Sequence, residues 1–262
     1  MRLVVDIGNT NISVGILENG QVLHCWRLAT HMRRTRDEYS LLLKGLIHDV
    51  GLIPDCIDSA SMCCVVPPLQ DPMRQSLNII ANNRCLIVEP GVRIGMKIRY
   101  DLTTHVGSDR IVNAYAAIQR YGSPIMMIDF GTATTFCVVD SEGVYRGGAI
   151  FPGINTVSEA LYQSASLLPR VAFKQPPRVV GESTVHSIQS GLFFGYLDLT
   201  QGMIHRVCSE YPDIDTVVAT GGLGRIIHEH CPLITHYEPH LTLYGLSELY
   251  DLNNGDTAAA IW

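Results

Sequence analysis

The sequence predicts an α/β protein built as two duplicated lobes, each a mixed sheet with helices, with a cleft between them. Two apolar runs carry the prediction. Leu3-Val4-Val5 leads into Asp6-Ile7-Gly8-Asn9-Thr10, and Ile125-Met126-Met127-Ile128 leads into Asp129-Phe130-Gly131-Thr132-Ala133. A further apolar run and a turn glycine follow each of them. Asp6 and Asp129, Gly8 and Gly131, and Gly20 and Gly143 are all separated by 123 positions. A whole three-strand meander therefore recurs, not a short string.

The remaining elements follow in order. Residues 2–6, 12–17 and 21–26 read as strands joined by tight turns. Residues 37–50 place Tyr39, Leu42, Leu43, Leu46, Ile47 and Val50 at helical spacing. A buried strand is expected over 60–66, stopped by Pro67-Pro68, then a helix over 71–82 and a strand over 85–88. Gly107-Ser108-Asp109-Arg110 opens a helix to about residue 121, with Ser108 as its N-cap and Gly122 as its stop. That helix closes a first lobe, 1–121. The second lobe, 122–262, restarts the meander at Ile125. Thr156 and Glu159, just after Pro152-Gly153, form a capping-box pattern. Residues 187–207 read as a long apolar helix with Gly191, Gly195 and Gly202 as small contacts. A buried strand over 216–219 runs into Thr220-Gly221-Gly222-Leu223-Gly224, either an approach to an adenosine or a simple strand-to-helix turn. A meander followed by alternating helices and strands, twice over, is an α/β arrangement.

Composition narrows the class. The 262 residues suit two domains, and 47% apolar content fills two cores. No apolar run approaches the ~18 residues of a membrane helix, and no signal-type segment opens the chain. Eight cysteines, without a Cys-x-x-Cys, lie mostly in apolar runs and read as reduced core residues of a cytoplasmic protein. A formal charge of −6 argues against a general nucleic-acid surface. Lysine is confined to Lys44, Lys97 and Lys174, so an anion site must use arginine, amides, hydroxyls and metal ions. His228-x-His230-Cys231 lacks a second ligand pair and is not read as a zinc site. Arg33, Arg34 and Arg36 read as a solvated or ligand-edge loop.

The paired turns suit a phosphate and its metal ion. A strand-end Asp can hold a hydrated divalent cation, the following Gly lets backbone pass close to a ligand, and the next residues offer amides and a hydroxyl. Neither a P-loop nor a dinucleotide glycine pattern is present.

These turns resemble the phosphate loops of the acetate kinase, sugar kinase, heat-shock chaperone and actin superfamily, whose lobes are ribonuclease-H-like. Within it the chain resembles the type III pantothenate kinases almost end to end. The resemblance rests on Asp6-x-Gly8-Asn9-Thr10, Arg27 with Thr30, Thr35-x-Asp37-Glu38-Tyr39, Val65-Val66-Pro67, Tyr100, Gly107-Ser108-Asp109-Arg110 and Asp129-x-Gly131-Thr132. It continues through Pro152-Gly153-Ile154, Leu168-Pro169, Thr184 before Ile188-Gln189-Ser190-Gly191, and Thr220-Gly221-Gly222. Ser108 stands where alanine is usual, and Glu182-Ser183 where a basic residue and asparagine are commoner.

The resemblance implies ATP-dependent phosphorylation of pantothenate to 4′-phosphopantothenate, the first step of coenzyme A biosynthesis. It implies a homodimer using Mg²⁺ and a monovalent cation, K⁺ or NH₄⁺. ATP would bind Asp6, Ile7, Gly8, Asn9, Thr10, Asn11, Ile12, Ser13 and Thr132, with Asp6 organising Mg²⁺ indirectly and Asp129 holding the monovalent cation. Pantothenate would bind Tyr100, Gly107, Ser108, Asp109, Arg110 and Thr184, with Asp109 the proton acceptor. The first lobe would carry one phosphate loop and the pantothenate loop, the second lobe the other phosphate loop and the adenosine turn. Each residue also has a plainer role. Asp109 suits a first helical turn, where the dipole would lower its pKa. Arg110 can form a surface ion pair, Thr184 can cap a helix, and Tyr100 can be a half-buried aromatic. Rival functions are a superfamily kinase acting on a sugar or acetate, and a non-enzymatic regulator.

Overall fold

The computed structural model describes residues 1–100, 106–255 and 261–262. The chain divides into two compact units, one of Met1–Arg120 with His240–Trp262 and the other of Tyr121–Pro239.

In the first unit, β1 (Arg2–Ile7), β2 (Asn11–Glu18) and β3 (Gln21–Ala29) form the expected meander. Next come α1 (Arg36–Asp49), a 3₁₀ turn at Pro54–Cys56, β4 (Ser59–Cys64), α2 (Pro67–Ile80), β5 (Cys85–Ile87), β6 (Lys97–Ile98) and α3 (Ser108–Tyr121). The sheet order is β3-β2-β1-β4-β5, with β4 parallel to both β1 and β5. Leu3, Val5 and Ile7 of β1 share a core with Tyr39, Leu43 and Ile47 of α1 and Leu69, Met73 and Leu77 of α2. A capping box fixes the start of α1: Thr35 N–H donates to Glu38 at 2.8 Å while Glu38 N–H donates back to the Thr35 hydroxyl at 3.4 Å. Pro67-Pro68 end β4 as expected and also form the first turn of α2, where a missing N–H costs nothing; the helix therefore starts earlier than residue 71. Gly122, at φ +81°, stops α3.

The second unit repeats the plan. β7 (Ile125–Phe130), β8 (Ala133–Val139) and β9 (Val144–Pro152) form the second meander. α4 (Ile154–Ser164), α5 (Thr184–Glu210), β10 (Val217–Thr220), α6 (Gly224–His228) and β11 (His236–Tyr237) follow. Strands run in the order β11-β10-β7-β8-β9, and β10 lies parallel to β7 as β4 does to β1. The two phosphate turns differ in length. Gly8–Thr10 separates β1 from β2, but only Gly131 and Thr132 separate β7 from β8.

Three local expectations are corrected. Thr156 and Glu159 form no capping box: the N-cap of α4 is Gly153, Thr156 donates to Thr132 O at 2.8 Å, and Glu159 pairs with Arg170 at 2.7 Å. Gly191, Gly195 and Gly202 make no close packing contact, because a Cβ at any of them would meet open space. Cys25 is exposed rather than in the core, since β3 lies at the sheet edge with alternate residues facing solvent; all eight cysteines are free.

The expected second lobe, 122–262, differs from the observed second unit at its end. Helix α7 (Leu241–Asn254) buries Leu241, Leu243, Leu246 and Leu249 against the first unit, where it packs on β1, β2 and β4. A Cβ on Gly15 would sit between Leu243 and Val4, 3.0 and 3.1 Å away, so the β-sheet face opposite α1 and α2 needs this helix as cover. The Arg2 guanidinium fastens it, donating to Ser247 O, Ser247 Oγ and both Asp251 oxygens at 2.5–2.9 Å and lying 4.2 Å over the Tyr250 ring.

Candidate active site

Strand register places the first-unit carboxylate. Asp6, at the end of β1, is paired with Ser13 of β2 on one side and Cys63 of β4 on the other, and Ser13 is paired with Arg27 of β3. Residues directly across a ladder share a face, so Arg27, Ser13, Asp6 and Cys63 form one row. The Cys63 thiol donates to Asp6 Oδ1 at 3.3 Å. Burial, and next the charge of Asp109, push the Asp6 carboxyl up to about 7; the Cys63 bond and Arg27 act in the opposite direction. Burial and the two carboxylates raise Cys63 in turn, which keeps it a neutral thiol.

The turn after Asp6 is tight. Gly8 N–H donates to Asn11 O at 3.0 Å, and the Thr30 hydroxyl donates to Gly8 O at 2.7 Å. Ile7 and Ile12 are fully buried, whereas Asn9, Thr10 and Asn11 are exposed at the tip and available to a ligand.

Asp109 lies at the start of α3. Its Oδ1 accepts the Arg110 N–H at 2.8 Å, and a Cβ on Gly107 would come within 2.5 Å of the same oxygen. Only glycine therefore leaves the carboxylate its place. Burial pushes the Asp109 carboxyl above the usual range against the pull of the Arg110 amide and guanidinium. This reverses the low pKa expected from the helix dipole, because desolvation at this half-buried position outweighs the dipole. Arg110 is buried, at 8% exposure, and is not the surface ion pair its sequence position allowed. Ser108 is the first helical residue rather than the expected cap. Its hydroxyl donates to Cys64 O and accepts from Cys64 N–H, both at 3.3 Å.

In the second unit, Asp129 occupies the matching row position, with Thr135 of β8 and Thr220 of β10 as neighbours. A Cβ on Gly221, which has φ +88°, would lie 2.6 Å from Asp129 Oδ1 and 2.7 Å from Phe130 O. The Thr132 turn is held from behind, since Thr132 O accepts both Gly153 N–H at 2.9 Å and the Thr156 hydroxyl at 2.8 Å. Any Cβ on Gly153 would strike Gly131 O at 2.2 Å. The Tyr237 hydroxyl donates to Gly221 O at 3.1 Å.

Asp6 and residues 107–110 thus come together in one unit, and Asp129, Thr132 and Gly221 in the other. Tyr100 is exposed beside residues outside the described set. Thr184 is the exposed first residue of α5, and Ser183 rather than Thr184 caps that helix, accepting His186 N–H at 3.2 Å. Sequence reasoning missed Cys63 and the Ser108–Cys64 contacts. Local spacing fixed neither the parallel pairing of β4 with β1 nor its register, on which both contacts depend.

Comparison with known proteins decides the family. The family model described as type III pantothenate kinase matches residues 2–206. The chain belongs to the type III pantothenate kinase family. It is 42% identical over 253 residues to the type III pantothenate kinase of Brevibacillus brevis, covering 97% of this chain and 99% of that one. It is also 42% identical over 257 residues to that of Listeria monocytogenes serotype 4a, covering 98% and 99%. Among solved structures it resembles the inorganic polyphosphate/ATP-glucomannokinase of Arthrobacter (12% identity, TM-score 0.50, covering 95% and 98%). It also resembles ethanolamine utilization protein EutJ of Carboxydothermus hydrogenoformans (12% identity, TM-score 0.51, covering 94% and 88%). At such identity these two share the fold alone. As a type III pantothenate kinase, the chain phosphorylates pantothenate with ATP in coenzyme A biosynthesis. Among the described residues no helix is long and apolar enough to cross a membrane.

Proposed function

We propose that residues 6–13 and Thr132 hold ATP, that Tyr100, residues 107–110 and Thr184 hold pantothenate, and that Asp109 accepts the proton of the attacking hydroxyl. The observation that carries this reading is the half-buried carboxylate pair, Asp6 and Asp109, beside a glycine turn with an exposed polar tip. Phosphoryl transfer needs alignment and neutralised charge more than covalent help. Asp109 suits the acceptor role because burial makes it a stronger base than an exposed Asp, while the Arg110 amide fixes its orientation. Arg110 supplies positive charge for the substrate carboxylate or the transferring phosphoryl. Amides of the Gly8 and Gly131 turns cradle the phosphates, with the Thr132 turn stiffened by Gly153 and Thr156.

Kinases of this kind generally use a divalent metal, and the donor set fits Mg²⁺ in one manner. Among the described residues no three His, Cys, Asp or Glu side chains gather as a protein cage. Mg²⁺ commonly keeps its waters and takes one or two carboxylates plus substrate phosphates, and Asp6 is placed to hold such a hydrated ion. When bound, it neutralises charge on the triphosphate. A K⁺ or NH₄⁺ ion at Asp129 is supported by this strand-end carboxylate lying against Gly221, where no Cβ intervenes. A homodimer is supported by apolar side chains left exposed on the second unit, including Ile150 at 63%, Leu167 at 93% and Val180 at 80%. Eight free cysteines support a reducing, cytoplasmic setting.

The test is turnover with ATP, Mg²⁺ and pantothenate, with and without K⁺, beside a panel of sugars. Pantothenate-dependent ADP release that collapses in Asp109→Asn is the expected result. Turnover unaffected by that substitution removes Asp109 from the chemistry.

A further inference from the structure

We infer that the Cys63-Cys64 end of β4 is a positioning device that fixes Asp6 and Asp109 relative to each other, Cys63 through its thiol and Cys64 through its backbone bonds to Ser108. The inference rests on the reading of these two carboxylates as the ATP-side and acceptor-side groups.

Two carboxyl groups close enough to act on one another keep a fixed separation only if each is tied to something rigid. Among the described residues no hydrogen bond joins Asp6 to Asp109, and the ties of both lead to adjacent residues of one strand. Cys63 is fully buried, is paired with Asp6 in the parallel ladder, and donates its S–H to Asp6 Oδ1 at 3.3 Å. That bond occupies one carboxylate oxygen and directs the other. One residue on, Cys64 closes two bonds with the Ser108 hydroxyl, giving its N–H and receiving the O–H. Ser108 immediately precedes Asp109, so these bonds set where α3 starts, and hence where the Asp109 carboxylate sits over Gly107.

The strand end is itself held. Val65 N–H donates to Ile7 O at 3.0 Å, extending the ladder with β1, and the Cys64 thiol donates to Val66 O at 3.2 Å. Pro67-Pro68 then restrict the chain into α2. The device thus holds the two carboxylates from the β4 side.

A structural role alone would weaken both halves of the reaction together, whereas a positioning role divides them. Cys63→Ala should weaken the affinity for Mg²⁺ with the non-hydrolysable triphosphate AMPPNP, measured by calorimetry, by about 3- to 10-fold, the range one hydrogen bond spans. Cys63→Ser, which restores a donor, should return it to within about twofold. Ser108→Ala should leave AMPPNP affinity unchanged and lower kcat for pantothenate by about 3- to 10-fold. Thermal unfolding of each variant separates a folding defect from a positioning one. The inference is overturned if Cys63→Ala binds Mg·AMPPNP like the wild type, or if Cys63→Ser fails to restore affinity. It is equally overturned if Ser108→Ala keeps its kcat, or if both variants lose both parameters in step with their melting temperatures. A wild type that binds Mg·AMPPNP but does not phosphorylate pantothenate refutes the functional reading instead, and the binding arm still decides the Cys63 half.

Discussion

Asp6→Asn should make the ligand-free protein more stable at neutral pH while disabling it. Burial, reinforced by Asp109, lifts the Asp6 carboxyl from 3.8 to about 7 in the folded state. A shift of that size corresponds to ~4 kcal/mol between protonation states. Asp6 keeps some solvent exposure, so roughly half, ~2 kcal/mol, is the expected effect. The sign follows from which state holds the proton. Because the folded pKa lies above the unfolded one, the native state retains the proton between these values while the unfolded chain has lost it. Stability is therefore greatest below the unfolded value, declines as pH rises, and levels off above about 7. Asparagine does not titrate, so the variant should overtake the wild type progressively across that window. Above pH 7 its advantage should reach ~2 kcal/mol, or about 4–8 °C in Tm for a chain this long. Urea unfolding of both proteins without ligand, from pH 4.5 to 8.5, measures the difference directly. A difference that stays constant, or narrows as pH rises, refutes the claim that a desolvated carboxylate is strained here.

Other outcomes follow from the same geometry. Asp109→Asn should keep the fold and nucleotide binding but lose ~10²–10⁴ in kcat, read by coupled ADP release. Gly221→Ala forces a Cβ against Asp129 Oδ1 and Phe130 O at positive φ. Denaturant titration should show a cost of ~1–3 kcal/mol, and the response to K⁺ should be lost. Thr156→Val removes one of two bonds to Thr132 O, so KM for ATP should rise about 2- to 5-fold with little change for pantothenate. Replacing K⁺ by choline should depress turnover in the wild type, and an unchanged rate would argue against a cation at Asp129.

The meander was legible because its signals are local: alternating burial, an Asp-x-Gly turn, and a hairpin glycine. Gly20 and Gly143 do adopt positive φ, +75° and +70°, as a repeat of the same hairpin requires. Long-range pairing was not legible. Nothing near residue 63 says that its thiol will face Asp6, because that contact is set by the parallel register of β1 and β4 across 57 positions. The Asp109 environment was misjudged for a related reason. A helix dipole is visible in sequence, but the burial that outweighs it comes from residues far along the chain. Capping patterns were ambiguous for a local reason, since Thr35 with Glu38 forms the box, whereas Thr156 bonds a neighbouring turn instead of Glu159.

The return of α7 to the first unit has a consequence for synthesis. On the ribosome, β1 emerges well before the helix that covers one side of its sheet, with Tyr121–Pro239 in between. Until α7 is made, the β1–β2 surface around Gly15, where Val4 and Leu17 lie, lacks Leu243, and Arg2 has no Asp251. The inserted unit can complete itself during translation, but the enclosing one stays half-dressed throughout. Premature stops that spare every proposed ligand-binding residue would still leave a nascent product with a bare greasy sheet, fit for chaperones and proteases rather than for catalysis.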